Sequence, residues 1–164
     1  MTDPREQTFI DVIKSNQGLI QKVCFLYASD ADERKDLFQE IVLQLWRSYS
    51  SFRGDSKIST WIYRIALNVA ISGWRKRSRR VQPEALVEKH YNVHELPDEK
   101  EESIQNLYAA IRNLSDIERA LMMLYLEDVS YDEIATTLGI TQNNVRVRVN
   151  RIKEKLKGMM RHGK

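Results

Sequence analysis

The segment SYDEIATTLGITQNNVRVRVNRIKEKLK, residues 130–157, constrains this chain more than any other stretch. Ser130 followed three residues later by Glu133 is a capping box that starts a helix. Ile134, Ala135 and Leu138 give that helix an inward face, Gly139 takes the turn that ends it, and Thr141 caps the helix that follows. A short helix, a glycine turn, a hydroxyl cap and a longer basic helix are the layout of a helix-turn-helix. In the second helix Val145, Val149, Ile152 and Leu156 recur at spacings of four, three and four, which makes one buried stripe. At about 100° per residue the opposite face presents Asn143, Val147, Asn150 and Arg151, with Asn144 and Arg146 on its shoulders. Asn suits an adenine edge, Arg a guanine edge, and valine a thymine methyl. Arg148, Lys153, Lys155 and Lys157 fall on the flanks or farther along, where phosphates are met. Glu154 shares the reading face about three turns in. A basic amphipathic helix that only packs or binds another protein is the competing reading. The caps, the glycine and the charge bias together favour duplex DNA.

Charge is segregated along the 164 residues. Residues 1–80 hold fourteen Lys or Arg against nine Asp or Glu, and residues 141–164 hold eight against one. Between them, residues 81–103 hold two against seven, with two of the three prolines. Two basic concentrations, the run WRKRSRR (74–80) and the C-terminal helix, therefore flank an acidic linker, a pattern expected of two contacts with nucleic acid. His90 and His94 stand four apart in the linker, a zinc-compatible spacing on a helix, but nothing nearby supplies two more ligands. They read as exposed linker histidines, and no metal or cofactor is expected.

The remaining pattern is all-helical. With only six Gly and three Pro, the composition argues against a sandwich or barrel. One amphipathic helix is expected from Phe9 to Tyr27, on Phe9, Ile13, Ile20, Val23, Cys24 and Tyr27. SDADERKD (29–36) caps a second helix bearing Leu37, Phe38, Ile41, Val42, Leu45, Trp46 and Tyr49. SSFRGDSKIS (50–59) reads as a loop, and a third helix from about Thr60, with Trp61, Ile62, Ile65, Ala66 and Val69 inward, runs into the basic run. After the linker, Ile104, Leu107, Tyr108, Ile111 and Leu114 restart a helix, and Ser115 with Glu118 forms another capping box. The expected architecture is all-α: a first domain over 1–80, a linker over 81–103, and a helix-turn-helix domain over 104–164. Trp46 and Trp61 fit the apolar stripes, whereas Phe52 in the loop and Trp74 in the basic run suit stacking on unpaired bases. No stretch approaches the roughly 20 apolar residues of a membrane span. The start MTDPREQ carries no signal peptide, and a single cysteine suits a reducing cytoplasm.

These residues resemble the bacterial RNA polymerase sigma factors of the extracytoplasmic-function (ECF) class. DLFQEIVLQLW (36–46) resembles the family's polymerase-docking helix, FRGDSKISTWIYRIALNVAISGWRKRSRR (52–80) its −10 opening and reading segment, and residues 114–157 its −35 reader. The resemblance implies a transcription initiation factor rather than an enzyme. By position it assigns Asp36, Leu37, Gln39, Glu40 and Leu43 to core RNA polymerase. It sets Phe52, Gly54, Asp55, Ser56 and Lys57 around a base flipped from the −10 strand, with Asn68 and Arg64 beside that pocket. Glycine permits close backbone approach there, and short polar side chains can read a base edge. Arg75, Lys76, Arg77, Arg79 and Arg80 would follow as a clamp on promoter phosphates, with Trp74 either a wedge against the duplex or a cap on the domain core. Thr141, Asn143, Asn144, Arg146, Val147, Arg148, Asn150 and Arg151 would meet the −35 element. It also implies an anti-sigma factor as partner, a cytoplasmic bacterial location, and an acidic linker that threads toward the polymerase channels.

The chain departs from relatives at Ser72, where they often carry aspartate, and at NNVRVR (143–148), where they often carry Gly-Thr-Val-Lys/Arg-Ser-Arg. The −35 preference is therefore not transferable from them. A stand-alone helix-turn-helix regulator is the alternative, but it leaves residues 36–80 without a role. A nuclease would need a clustered carboxylate or histidine site that the sequence lacks.

Overall fold

The computed structural model describes residues 3–73 and 102–162. The chain divides into two compact units, one in each half. Both are helical, with no strand among the described residues.

The first unit contains α1 (Pro4–Ser15), α2 (Gln17–Tyr27), α3 (Ala31–Ser48), a single 3₁₀ turn (Tyr49–Ser51) and α4 (Ile58–Asn68), which continues as a π-helical turn over Val69–Gly73. The starts of α1 and α3 are marked by side-chain caps. Asp3 accepts from the Arg5 N–H at 3.0 Å ahead of Pro4. Asp30 accepts from the Glu33 N–H at 2.8 Å, while the Glu33 carboxylate returns to the Ser29 N–H at 2.9 Å and to its hydroxyl. Such reciprocal caps are each worth about 0.5–2 kcal/mol.

The single helix expected over Phe9–Tyr27 is two helices that meet at Asn16. The Asn16 N–H is shared between the Val12 and Ile13 carbonyls at 3.2 and 3.1 Å, and its side-chain amide donates to the Val12 carbonyl at 2.8 Å. Asparagine competes well for backbone groups in this way, so the helix stops and restarts. The core is closed by Ile20, Val23 and Leu26 of α2, Leu37, Ile41 and Leu45 of α3, and Ile62, Ala66 and Leu67 of α4. Cys24 lies in this core, where burial pushes its thiol up to about 12 and leaves it inert.

The second unit contains α5 (Glu102–Arg112), α6 (Asp116–Leu126), α7 (Tyr131–Leu138) and α8 (Gln142–His162). Helix α8 packs against each of the other three. Ile111, Leu114, Leu121, Leu124, Ile134, Val145, Val149, Ile152 and Leu156 form the buried core. The expected caps at Ser115 and Ser130 are present, accepting from the Glu118 and Glu133 N–H groups at 3.3 and 3.2 Å. Helix α6 ends with Asp128 in the left-handed region at φ 58°, the Val129 N–H closing on the Leu124 carbonyl and the Asp128 N–H on the Tyr125 carbonyl, each at 3.1 Å. That is a Schellman ending built on aspartate rather than glycine.

Candidate nucleic-acid interface

Helices α7 and α8 meet through a three-residue turn, Gly139 to Thr141. Gly139 sits at φ 70°, ψ 34°, a backbone that L side chains rarely adopt. The Ile140 N–H closes on the Ala135 carbonyl at 3.0 Å, and the Thr141 hydroxyl accepts from the Asn144 N–H at 3.1 Å. A further tie spans the turn: the Gln142 amide donates to the Asp132 carboxylate at 2.9 Å. These contacts fix where α8 starts and which way it faces.

The face is the one the periodicity requires. Val145 and Val149 are fully buried, with Ile152 and Leu156 nearly so. Thr141, Asn143, Asn144, Arg146, Val147, Arg148, Asn150 and Arg151 are all exposed. Their side chains line the outer surface of the first three turns of α8, the part of a recognition helix that meets base edges.

The lysines farther along have partners within the unit. The Lys153 ammonium stands 4.3 Å over the Tyr125 ring, and its side-chain hydrogen bond with Tyr125 holds its pKa above the ordinary lysine range. Lys155 pairs with Glu118 of α6 at 3.4 Å, and Lys157 with Glu154 at 3.4 Å. Partial burial favours the protonated form of Glu118, but the bond from Ser115 and the Lys155 charge outweigh it, and the carboxyl is held below its usual range. Ser115 caps α6, and the Glu118 carboxylate both turns back to Ser115 and ties α6 to α8 through Lys155.

In the first unit the sequence candidates divide between surface and core. Asp36, Gln39 and Leu43 are exposed on α3 and Glu40 is half-buried. Leu37 is 0% exposed. It is corrected from a docking residue to a core residue, since a fully covered side chain offers no partner a surface. Its spacing with Ile41 and Leu45 is the reason, because positions four apart share one helix face.

The loop 52–57 rests on an aromatic cluster. The Phe52 ring lies against Trp61 at 5.1 Å, Tyr49 against Trp61 at 6.3 Å, and Phe9 against Tyr49 and Trp46 at 5.2 and 5.0 Å. Arg5 stands 5.6 Å over Trp46. Phe52 thus anchors the loop from its inner side, while Gly54 (φ 79°), Asp55 and Lys57 are exposed and Ser56 is half-buried. Arg64 and Asn68 are exposed one turn apart on α4. The anchoring role of Phe9 and Tyr49 was not read from the sequence, because it joins residues from three separate elements.

Trp74, Arg75, Lys76, Arg77, Arg79 and Arg80, with most of the acidic linker and His90 and His94, lie outside the described residues. Among the described residues no group of three or more His, Cys, Asp or Glu could hold a metal ion, and no helix is long and apolar enough to cross a membrane.

Comparison with known proteins follows the same division. Residues 12–80 match the family model for Sigma-70 region 2, and residues 104–156 that for Sigma-70, region 4. RNA polymerase sigma-H factor of Pseudomonas aeruginosa is 32% identical over 142 residues, covering 78% of this chain and 73% of that protein. The ECF RNA polymerase sigma-E factor of Escherichia coli is 30% identical over 132 residues, covering 73% and 69%. Among solved structures, the sigma factor RpoE from Bartonella quintana, in complex with the anti-sigma factor NepR, is similar at a TM-score of 0.73 and 23% identity, with 98% of each chain covered. CnrH, in complex with the cytosolic domain of CnrY, is similar at a TM-score of 0.67 and 17% identity, covering 97% of this chain and 91% of that one.

Proposed function

The chain belongs to the ECF class of the sigma-70 family, and from that premise we propose that it directs core RNA polymerase to promoters whose −35 element is read in the duplex by α8. Its role is that of an initiation factor, not an enzyme. The observation that carries this reading is the division of α8: an unbroken buried stripe from Val145 to Leu156, opposed by an exposed Asn, Arg and Val surface. Phosphate contacts by Arg146, Arg148 and Arg151 would set position, and Asn143, Asn144 and Asn150 would read base edges.

In the first unit, the loop 52–57 with Arg64 and Asn68 would hold an unstacked −10 base, so that opening is driven by capture of the extruded base rather than by nucleotide hydrolysis. Exposed Asp36, Gln39 and Leu43, with Glu40, would dock on core polymerase. The basic run 74–80 would grip promoter phosphates; replacing its Arg and Lys residues with alanine is expected to flatten the salt dependence of open-complex formation and leave promoter choice unchanged. A similar sigma factor, RpoE, was solved with the anti-sigma factor NepR, and the similar CnrH with the cytosolic domain of CnrY. A protein partner of that kind is proposed here also, acting in the cytoplasm where the polymerase works.

The test is transcription in vitro with purified core polymerase. Promoter-specific transcripts that require this chain, and that are lost in Asn143→Ala and in Asn68→Ala, are the expected result. Duplex binding without such transcripts would instead support a stand-alone helix-turn-helix regulator.

A further inference from the structure

We propose that Val147 reads the 5-methyl group of a thymine in the −35 element, so that this chain selects promoters partly by a methyl contact at the centre of its recognition helix. The inference rests on the assignment of α8 to duplex DNA and adds the chemistry of one base pair to it.

Three valines alternate in α8. Val145 and Val149 are 0% exposed and Val147 is 37% exposed. At about 100° per residue Val147 points within about 10° of the direction opposite the buried stripe, which makes it the centre of the outer face. Nothing in the fold asks for valine there. A β-branched residue on an exposed helix position is a poorer helix former than alanine, lysine or arginine. Its neighbours on that face, Asn143 and Asn150 to one side and Arg151 to the other, are polar and exposed, so it joins no apolar cluster.

Its location decides what it can recognise. Val147 lies in the second turn of α8, behind a start fixed by the Thr141 cap and the Gln142–Asp132 bond. Arg146 and Arg148 leave the helix on opposite flanks of it, as residues reaching the two phosphate walls of a groove do. Isopropyl carbons neither donate nor accept, so the base pair under Val147 is not distinguished by hydrogen bonds. The thymine methyl is the one apolar group on the major-groove edges of the four bases. Asn143 and Asn150, four residues before and three after, complement adenine edges on the adjoining steps.

The experiment uses holoenzyme reconstituted from core polymerase and the full chain, with duplexes recovered from a pool randomised across the −35 window. Each thymine of the recovered site is then replaced singly by deoxyuridine, which deletes only the methyl group. One position is expected at which the wild type loses about fourfold in affinity, the worth of one buried methyl group. That loss is expected to vanish in Val147→Ser, while cytosine at the same position should be bound better once methylated at carbon 5. Uracil tolerated at every position overturns the proposal, as does an equal uracil penalty in Val147→Ser. An affinity unchanged in Asn143→Ala and Arg151→Ala overturns the assignment of α8 itself and is told apart from either of those results.

Discussion

Two left-handed residues in the second unit predict substitutions of opposite sign. Gly139 (φ 70°) ends α7, and Asp128 (φ 58°) ends α6. In both, the following N–H closes back on the helix, Ile140 on Ala135 and Val129 on Leu124. A Cβ built at Gly139 meets nothing within 4 Å, so Gly139→Ala makes no clash and its cost is purely conformational. Left-handed backbone costs an L residue about 1–2 kcal/mol. The loss of unfolded-chain entropy returns about 0.4–1 kcal/mol of that. The net is a destabilisation of about 1 kcal/mol. Asparagine, which tolerates this backbone, should cost about half as much in Gly139→Asn. At Asp128 the strain is already present in an exposed side chain, and Asp128→Gly should stabilise by about 0.5 kcal/mol. For a unit of this size, 1 kcal/mol corresponds to about 4–8 °C in Tm. Gly139→Ala should therefore lower the melting temperature of the second unit by about 5 °C, and Asp128→Gly should raise it by about half as much. All three tryptophans precede residue 80, so their fluorescence reports the first half of the chain. The second unit is better followed through NMR methyl signals of Ile134, Val145 and Ile152. Wild-type stability in Gly139→Ala, or a loss in Asp128→Gly, would refute the assignment of the cost to backbone strain.

Leu37 and Leu43 separate core from docking surface. Leu37→Ala, at a fully buried position, should cost about 2–5 kcal/mol of stability. Leu43→Ala, at a position 41% exposed, should change stability by less than about 0.5 kcal/mol yet weaken binding to core polymerase in a fluorescence-anisotropy titration. Removing Arg148 should reduce the slope of log affinity against log salt for duplex DNA by about one phosphate contact. Lys155→Ala should leave that slope nearly unchanged, because its ammonium is already paired with Glu118; equal effects would mean that the pair opens on DNA. The Glu118 carboxyl is held below its ordinary value of about 4.3. A depressed folded pKa means a contribution present above about pH 4.3 and lost as pH falls through the lower folded value. Glu118→Gln should therefore flatten the acid dependence of second-unit unfolding in that window and lower the stability of the unit at neutral pH, where the contribution is fully present; an unchanged acid limb would show that other groups govern it.

What was legible in this chain follows from the range over which each pattern acts. The buried stripe of α8, the Ser115, Ser130 and Thr141 caps and the Gly139 turn are local: helix geometry imposes them within a few residues, and a single sequence displays them. The break at Asn16 was also written locally, in the absence of apolar residues between Ile13 and Leu19. It was missed because both helices turn apolar positions to the same core, so the period carries across the interruption. Leu37 was misassigned for a different reason. The resemblance marked the motif, while the periodicity of Leu37, Ile41 and Leu45 marked the core, and periodicity is the physical constraint. The side-chain pairings were not legible at all. Lys155 meets Glu118 across 37 positions, and Phe52 meets Trp61 and Phe9 meets Trp46 only once separate elements have packed.

These pairings change the electrostatics that the composition suggests. Counted along the sequence, the C-terminal helix is basic throughout apart from Glu154. Lys153, however, is drawn to Tyr125, Lys155 to Glu118 and Lys157 to Glu154, whereas Arg146, Arg148 and Arg151 make no ion pair among the described residues. The charge open to an anion is therefore concentrated in the first three turns of α8, around Asn143, Val147 and Asn150. Lys153 and Lys155 hold the helix to α6 and Lys157 pairs within α8 itself, so the same basic helix divides its charge: arginines open to an anion, lysines turned to the fold. Guanidinium groups suit that division, because their planar fork can engage phosphates and guanine edges bidentately where an ammonium acts as a point charge.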